Sequence, residues 1–219
     1  REDQLFGIKP TESPGLPAAL TIFETRHFAV LDSIFTVTCQ TAAQAERLYA
    51  VVGHLEITSE AMRDSAPAPI AISIVGENES QELYTNERPT QRCNNLSGLA
   101  PLIHWLIFSS TVRDENYALQ LHTAAVAREG RALLLPGPAG VGKSTLTAAL
   151  LDEGFGYLSD DMVVLDHDSF LVRGLPFSIC VKESGLALLD NQTQATTPHE
   201  LHLRADGRRV HYQIGRAHV

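Results

Sequence analysis

The sequence has few of the features that mark disulfide-rich or membrane-spanning proteins. Its 219 residues include three cysteines, Cys39, Cys93 and Cys180, which are too few and too scattered for a disulfide framework or a zinc knuckle. The most apolar stretch, residues 99–112, falls well short of the roughly 20 residues that span a bilayer. The first residues also lack the basic-then-apolar profile of a signal peptide. We therefore expect no membrane partner and a reducing, cytoplasmic location.

Basic residues are scarce as well. Seventeen Lys and Arg stand against 26 Asp and Glu, which gives a net charge of −9 without any basic block. Binding to a phosphate backbone needs a positive footprint that this composition does not supply, so nucleic acid is not an expected partner. With 44% hydrophobic and 20% charged residues, the chain has the composition of an ordinary globular protein, which argues against disorder.

Composition and pattern divide the chain into five segments. Residues 1–18 contain three prolines and no apolar period, which indicates a flexible lead-in. Residues 19–98 predict a small N-terminal α+β domain, 99–116 a connecting helix, and 117–213 an α/β domain. Residues 214–219 resemble the translation of a sequencing-library adapter and are not expected to belong to the fold. We expect the natural chain to continue past Gln213, so that the last domain is incomplete.

Local periodicity predicts the elements of the N-terminal domain. The expected elements are strands at 20–23, 28–31, 35–39 and 70–75, a helix at 42–52, and a loop at 87–98. The apolar helix at 99–112 should place Leu102, Trp105, Leu106 and Ser109 on one face. Cys39 and Cys180 lie in apolar strands and are expected to be buried, whereas Cys93 lies in the predicted loop.

Residues 137–144, GPAGVGKS, match the phosphate-loop (Walker A) pattern G-x-x-x-x-G-K-[ST] at every fixed position. They follow an apolar strand at 132–135 and open a helix that runs to residue 152. The glycines let successive N–H groups curl around phosphate oxygens, and the helix N-terminus attracts the same anion. Lys143 adds a charge for the outer phosphates and Ser144 a hydroxyl for magnesium. The predicted nucleotide-binding residues are Gly137, Pro138, Ala139, Gly140, Val141, Gly142, Lys143, Ser144 and Thr145; a plain glycine turn is the alternative.

Two adjacent carboxylates, Asp160 and Asp161, follow a predicted strand at 155–158. In an open α/β sheet this strand would neighbour the one before the phosphate loop and end at the same edge. One carboxylate could hold a metal and the other accept the proton of an attacking hydroxyl. Two like charges so close should raise at least one pKa. The alternative is an Asp-Asp turn before a strand at 162–165.

The pairing register of two predicted strands indicates where His122 lies. Residues 119–127 alternate apolar and polar side chains, 128–131 form a turn containing Gly130, and 132–135 return. Pairing the two strands about this turn places His122 opposite Gly137, at the edge of the phosphate loop. An imidazole there could pair with an aspartate or assist proton movement; a structural histidine is the alternative.

These residues together resemble the catalytic domain of HPr kinase/phosphorylase. His122 precedes the phosphate loop, and Asp160 and Asp161 follow it. More closely, the run LHTAAVAREGRALLLPGPAGVGKSTLTAALLDEGFGYLSDD is similar to HPr kinase-related proteins, including the precursor-peptide serine kinases of some lasso-peptide pathways. The likeness is specific over residues 119–165 and general elsewhere.

The resemblance implies an ATP-dependent serine kinase that acts on a protein or peptide and uses Mg²⁺. It implies a phosphoenolpyruvate-carboxykinase-like α/β core rather than the common P-loop NTPase sheet. By the same resemblance, Lys143 would bind phosphate, Ser144 would bind magnesium, Asp161 would take the proton of the acceptor serine, and His122 would lie in the catalytic neighbourhood. Family helices used in oligomerisation make a homo-oligomer a further implied partner.

The sequence also departs from the family. HPr kinases carry a Glu magnesium ligand two residues before an Arg-Gly pair; if Arg173-Gly174 is that pair, the position holds Leu171, and Asp160 could substitute. If the pair is accidental, Lys182 becomes a candidate phosphate contact. A small-molecule P-loop kinase and a non-catalytic nucleotide-binding module remain the rival functions. His199 and His202 are one helical turn apart, but without a third ligand they predict no metal site.

Overall fold

The computed structural model describes residues 15–17, 20–63, 68–77, 80–112, 117–182, 202–203 and 209–213. These form two compact units: the described residues up to Thr111 with His202 and Leu203, and those from Val112 to Lys182 with 209–213. Most of the predicted lead-in, residue His199 and residues 214–219 lie outside the described part. The structure is a mixture of strands and helices with several sheets and few helices.

The first unit contains a sheet in the order β3-β1-β2-β4-β5-β6. Its strands are β1 Glu24–Val30, β2 Ser33–Cys39, β3 Glu56–Ile57, β4 Ile70–Glu77, β5 Ser80–Thr85 and β6 Arg88–Cys93, and its helices are α1 Ala42–Val52, α2 Ser59–Arg63 and α3 Leu99–Thr111. Short 3-10 turns occupy Gly53–Leu55 and Leu96–Gly98. β2 and β4 are parallel, and the other neighbouring strands are antiparallel.

Sequence patterning explains much of this unit. Alternation along β1 and β2 buries Phe28 and Phe35 on one face. Thr41 caps α1 through a reciprocal capping box with Gln44. The buried Gln44 amide then donates to the Oε1 atom of Gln81 on β5 at 2.7 Å. A buried amide satisfied in this way ties the helix to the sheet.

Several predictions for this unit are wrong in detail. One strand, β1, replaces the two predicted at 20–23 and 28–31, and Phe23 is exposed just before it. The predicted loop at 87–98 contains β6, so Cys93 ends a strand. Helix α3 packs against α1 and β6 within the first unit. Its buried residues are Leu99, Ala100, Pro101, Ile103, Leu106, Ile107 and Thr111. Of the four residues predicted to share one face, only Leu106 is among them.

The second unit is built from short antiparallel ladders. Its elements are β7 Tyr117–Leu121, β8 Thr123–Arg128, β9 Arg131–Pro136, α4 Lys143–Asp152, β10 Gly156–Ser159, β11 Val163–Asp166, β12 Val172–Gly174 and β13 Ile179–Lys182. The two-residue strand β14, His202–Leu203, belongs to the first unit, and β15, Arg209–Gln213, pairs with β13 in the second. Two sheets have the orders β10-β8-β9 and β12-β11-β7.

The strand predicted at 119–127 is broken at His122. Its first half, β7, pairs with β11, and its second half, β8, pairs with β9 and β10. The chain therefore passes from one sheet to the other at His122. The predicted hairpin register is confirmed, since Thr123 pairs with Pro136 across a turn in which Glu129 and Gly130 have positive φ.

The expected adjacency of the aspartate strand and the phosphate-loop strand is wrong, because β8 lies between β10 and β9. β8 is antiparallel to both, so β9 and β10 still point in the same direction. Their carboxyl ends and the start of β8 therefore share one edge of the sheet. That edge carries the phosphate loop, the aspartates and His122. The strands that lead to them are joined through antiparallel pairing and not, as in a parallel sheet, side by side in the same direction.

Gly174 allows the two sheets of the second unit to approach closely. A Cβ atom at this position would overlap the backbone carbonyl of Leu158 on β10. Only a residue without a side chain fits such an approach. Gly174 therefore keeps β12 against the strand that leads to the aspartates.

Within the described residues, no helix has the length and apolar character needed to cross a bilayer. Cys39, Cys93 and Cys180 are free thiols. Cys39 is buried as expected, whereas Cys180 is only partly buried. Burial raises the pKa of Cys39 to about 12 and that of Cys93 to about 11.

Candidate functional site

The phosphate loop joins β9 to α4 and is mostly exposed. Gly140 and Gly142 have φ values of 88° and 100°, in the left-handed region that favours glycine. At Gly137, a Cβ atom would lie 2.8 Å from Cγ1 of Val141, which folds over the start of the loop. Gly140 and Gly142 therefore suit the backbone path, and Gly137 leaves room for the Val141 side chain.

The loop delivers Lys143, Ser144 and Thr145 as the first turn of α4, with Gly142 as N-cap. The first N–H groups of a helix have no intrahelical acceptor, and they point out of its positive end. The Nζ atom of Lys143 turns back over the loop and donates to the carbonyl oxygens of Gly137, at 2.8 Å, and Pro138, at 3.4 Å. A cation and a helix N-terminus thus meet at one loop, an arrangement that suits a phosphate group.

Asp160 follows β10 directly and is 6% exposed. Its Oδ2 atom accepts hydrogen bonds from the backbone N–H of Cys180 at 2.9 Å and from the Ser144 hydroxyl at 3.2 Å. Its Oδ1 atom accepts from the Tyr157 hydroxyl at 3.2 Å. Burial, and secondarily the charge of Asp161, raise the pKa of Asp160 to about 6, while these donors act in the opposite direction. The expected rise in one pKa of the pair is therefore found at Asp160.

Ser144 and Asp160 together present a hydroxyl and a carboxylate oxygen 3.2 Å apart. Hard oxygen atoms of this kind suit Mg²⁺, which usually keeps waters and phosphate oxygens among its ligands and needs only one or two from the protein. In the described part of the chain, no group of three or more His, Cys, Asp and Glu is placed to hold a metal. The residues present fit a magnesium ion that arrives with a nucleotide.

Asp161 lies beside the imidazole of His122, the residue at which the chain passes from one sheet to the other. Its Oδ1 atom is 3.3 Å from Nδ1 of His122, within ion-pair distance, and the side chains are 48% and 56% exposed, respectively. The hydroxyl of the buried Ser159 accepts hydrogen bonds from the backbone N–H groups of Asp161, at 3.3 Å, and Met162, at 3.1 Å. The Asp161 carboxylate is therefore accessible to a reactant, while the Ser159 hydroxyl fixes its backbone.

Sequence reasoning missed the groups that hold the aspartates. Tyr157, Ser159 and the N–H of Cys180 contact them, and only Ser159 has a readable signal, as a Ser before two polar turn residues. Cys180 is distant in sequence, so its role has no local signature. Leu171 is 66% exposed in the turn between β11 and β12, and Lys182 ends β13.

Comparison with protein-family models, with curated proteins and with solved structures finds no significant match to this chain. The geometry of the second unit therefore carries the functional argument. It brings together His122, Ser144, Asp160 and Asp161. These side chains come from the start of β8, the first turn of α4 and the end of β10.

Proposed function

We propose that this chain is an ATP-dependent serine kinase of the HPr kinase-related type, acting on a protein or peptide. The observation that carries the proposal is the convergence of two pairs, Ser144 with Asp160 and His122 with Asp161. One pair suits a metal and the other suits proton transfer, and Ser144 directly follows the lysine of a phosphate loop. Phosphoryl transfer depends chiefly on such positioning and charge stabilisation.

In this proposal the loop amides and Lys143 bind the ATP phosphates. Ser144 and Asp160 would hold Mg²⁺, which would supply positive charge for the phosphate oxygens. The acceptor serine oxygen bonds to the γ-phosphorus as the bond from that phosphorus to the β–γ bridging oxygen breaks, releasing ADP. Asp161 accepts the serine proton, and His122 at 3.3 Å stabilises and orients that carboxylate.

The antiparallel pairing of the strand before the phosphate loop supports a more specific proposal for the fold, a phosphoenolpyruvate-carboxykinase-like core. In doubly wound nucleotide-binding folds the strand before the phosphate loop belongs to a mostly parallel sheet. Here β9 pairs with β8 in a hairpin. This difference favours the carboxykinase-like core over the common P-loop NTPase sheet.

The test uses Mg²⁺ and ATP that carries its radiolabel on the γ-phosphate. It compares two degenerate peptide libraries that differ only in whether the central residue is serine or alanine. We expect label in the serine library alone. Binding of MgATP without label in either library would overturn the kinase and leave a nucleotide-binding module. Label transferred to a free small alcohol but not to the peptides would instead favour a small-molecule kinase.

A further inference from the structure

The hydroxyl of Tyr157 is held at a junction between β10 and the segment that leads into β13. It lies 2.8 Å from the carbonyl oxygen of Phe177 and 3.2 Å from Oδ1 of Asp160. A carbonyl oxygen can only accept hydrogen bonds, and a phenol supplies one proton. The hydroxyl proton is thus confined between two acceptors from different parts of the chain.

The ring of Tyr157 is fixed as firmly as its hydroxyl. The side chain is 5% exposed and packs with Ala148 on α4 and Ile179 on β13, with Leu151 beside them. These contacts hold the ring against the same helix that begins with the phosphate loop. The hydroxyl therefore has little freedom to follow Asp160, and Asp160 must orient toward it.

We propose that Tyr157 is a positioning residue that sets the orientation of Asp160 for magnesium. With Oδ1 held by Tyr157, Oδ2 is directed to the Ser144 hydroxyl and the Cys180 N–H. The inference rests on the proposed function, because it assigns a purpose to the Ser144–Asp160 pair. Removing a group that hydrogen-bonds to a metal-ligating side chain commonly lowers metal affinity by roughly 10- to 100-fold.

The matched pair of variants is Tyr157→Phe and Tyr84→Phe. Each removes one hydroxyl from a buried tyrosine that donates to a carboxylate; Tyr84 does so to Glu82 at 2.9 Å in the first unit. ATP affinity is measured by calorimetry across a magnesium titration. For Tyr157→Phe we expect the Mg²⁺ concentration at half-effect to rise about tenfold, with magnesium-free ATP affinity unchanged. Tyr84→Phe should match the wild type in both.

The outcomes separate the two proposals. Absence of ATP binding by the wild-type chain, with or without Mg²⁺, would overturn the proposed function. Binding by the wild type together with an unchanged magnesium dependence in Tyr157→Phe would overturn the role of Tyr157 alone. A loss of ATP affinity in Tyr157→Phe that is equal at every Mg²⁺ concentration would also overturn it, because a general structural defect has that signature.

A second measurement covers the case in which Tyr157→Phe does not fold. In the otherwise unchanged chain, 3-fluorotyrosine is placed at position 157 or at position 84, and fluorine NMR follows addition of ATP and then Mg²⁺. The signal at 157 should move at the Mg²⁺ step, because a cation bound at Oδ2 withdraws charge from the Oδ1 atom that the hydroxyl contacts. The signal at 84 should remain in place. A signal at 157 that ignores Mg²⁺ while ATP binds would contradict the inference.

Discussion

At the scale of single residues, Lys143 is the cation that the proposed function assigns to the ATP phosphates. Its Nζ atom donates to the loop carbonyls of Gly137 and Pro138. We expect Lys143→Ala to lower MgATP affinity by at least 10-fold in calorimetry, because a charge-assisted contact contributes about 1.5–3 kcal/mol. Arg131→Ala, at the opposite end of β9, is the matched control. Equal affinity in wild type and Lys143→Ala would refute the assignment of this lysine.

Asp161 gives a prediction of the opposite kind, since its loss should spare binding. Asp161→Asn keeps the shape of the side chain but makes it a very poor proton acceptor, so label transfer to the serine library should fall by roughly 10²- to 10⁴-fold. Calorimetric affinity for MgATP should stay within about twofold of wild type. Asp168→Asn, at a fully exposed carboxylate, controls for the loss of one charge. Undiminished transfer by Asp161→Asn would remove Asp161 from the proposed reaction.

Asp160 predicts a dependence of stability on pH. Its pKa in the folded chain is about 6, above the ordinary value of 3.8, so the folded state binds the proton more tightly than the unfolded state. The associated stability is fully present below about pH 3.8 and is lost as the pH rises through 6. The difference between those two pKa values corresponds to roughly 3 kcal/mol of unfolding free energy above pH 7.

Asp160→Asn tests this dependence in urea unfolding with a chelator and without nucleotide. The amide oxygen can accept from the Cys180 N–H. Its nitrogen can donate to the Tyr157 oxygen, as a protonated acid would, because the single Tyr157 proton can be donated to the Phe177 carbonyl instead. The variant should exceed the wild type by about 3 kcal/mol at pH 8 and by about 1 kcal/mol at pH 4.5. It should also lose magnesium-dependent ATP binding. A constant difference at both pH values would contradict the raised pKa.

At the scale of elements, the close approach of β12 and β10 places the aspartates. Gly174→Ala would force a Cβ atom into the Leu158 carbonyl, and relieving such an overlap costs about 1–3 kcal/mol of unfolding free energy. Because β10 leads directly to Asp160, we expect label transfer to fall as well. Gly15→Ala, where a Cβ atom meets nothing within 4 Å, should change stability by less than about 0.5 kcal/mol. Equal stability of the two variants would contradict the contact.

The elements also show where sequence information was sufficient. The β8–β9 hairpin and its register follow from a short turn and from alternation, both of which are local. The buried face of α3 could not be predicted, because Leu, Ile, Trp and Phe occur nearly all round the helix and periodicity carries little signal. The polar β5–β6 hairpin could not be predicted, because its strands lack alternating apolar residues.

The candidate site divides in the same way. The loop and the aspartate pair were visible as motifs, and His122 was placed by register. The donors to Asp160 from Tyr157 and Cys180 were not visible, because that contact depends on how β10, α4 and β13 pack together. Long-range packing of this kind has no pattern in a single sequence.

At the scale of the whole molecule, the net charge of −9 makes a prediction about the acceptor. A negative chain attracts positively charged peptides over distances of about 10 Å at 0.1 M salt, and that attraction weakens as salt rises. Serine peptides flanked by lysine should therefore be labelled faster than otherwise identical peptides flanked by glutamate. We expect the ratio of initial rates to fall toward one between about 20 mM and 500 mM NaCl, because the Debye length shortens several-fold over that range. A preference that is independent of salt would indicate a specific contact instead of the field of the molecule, and a preference for glutamate would contradict the prediction.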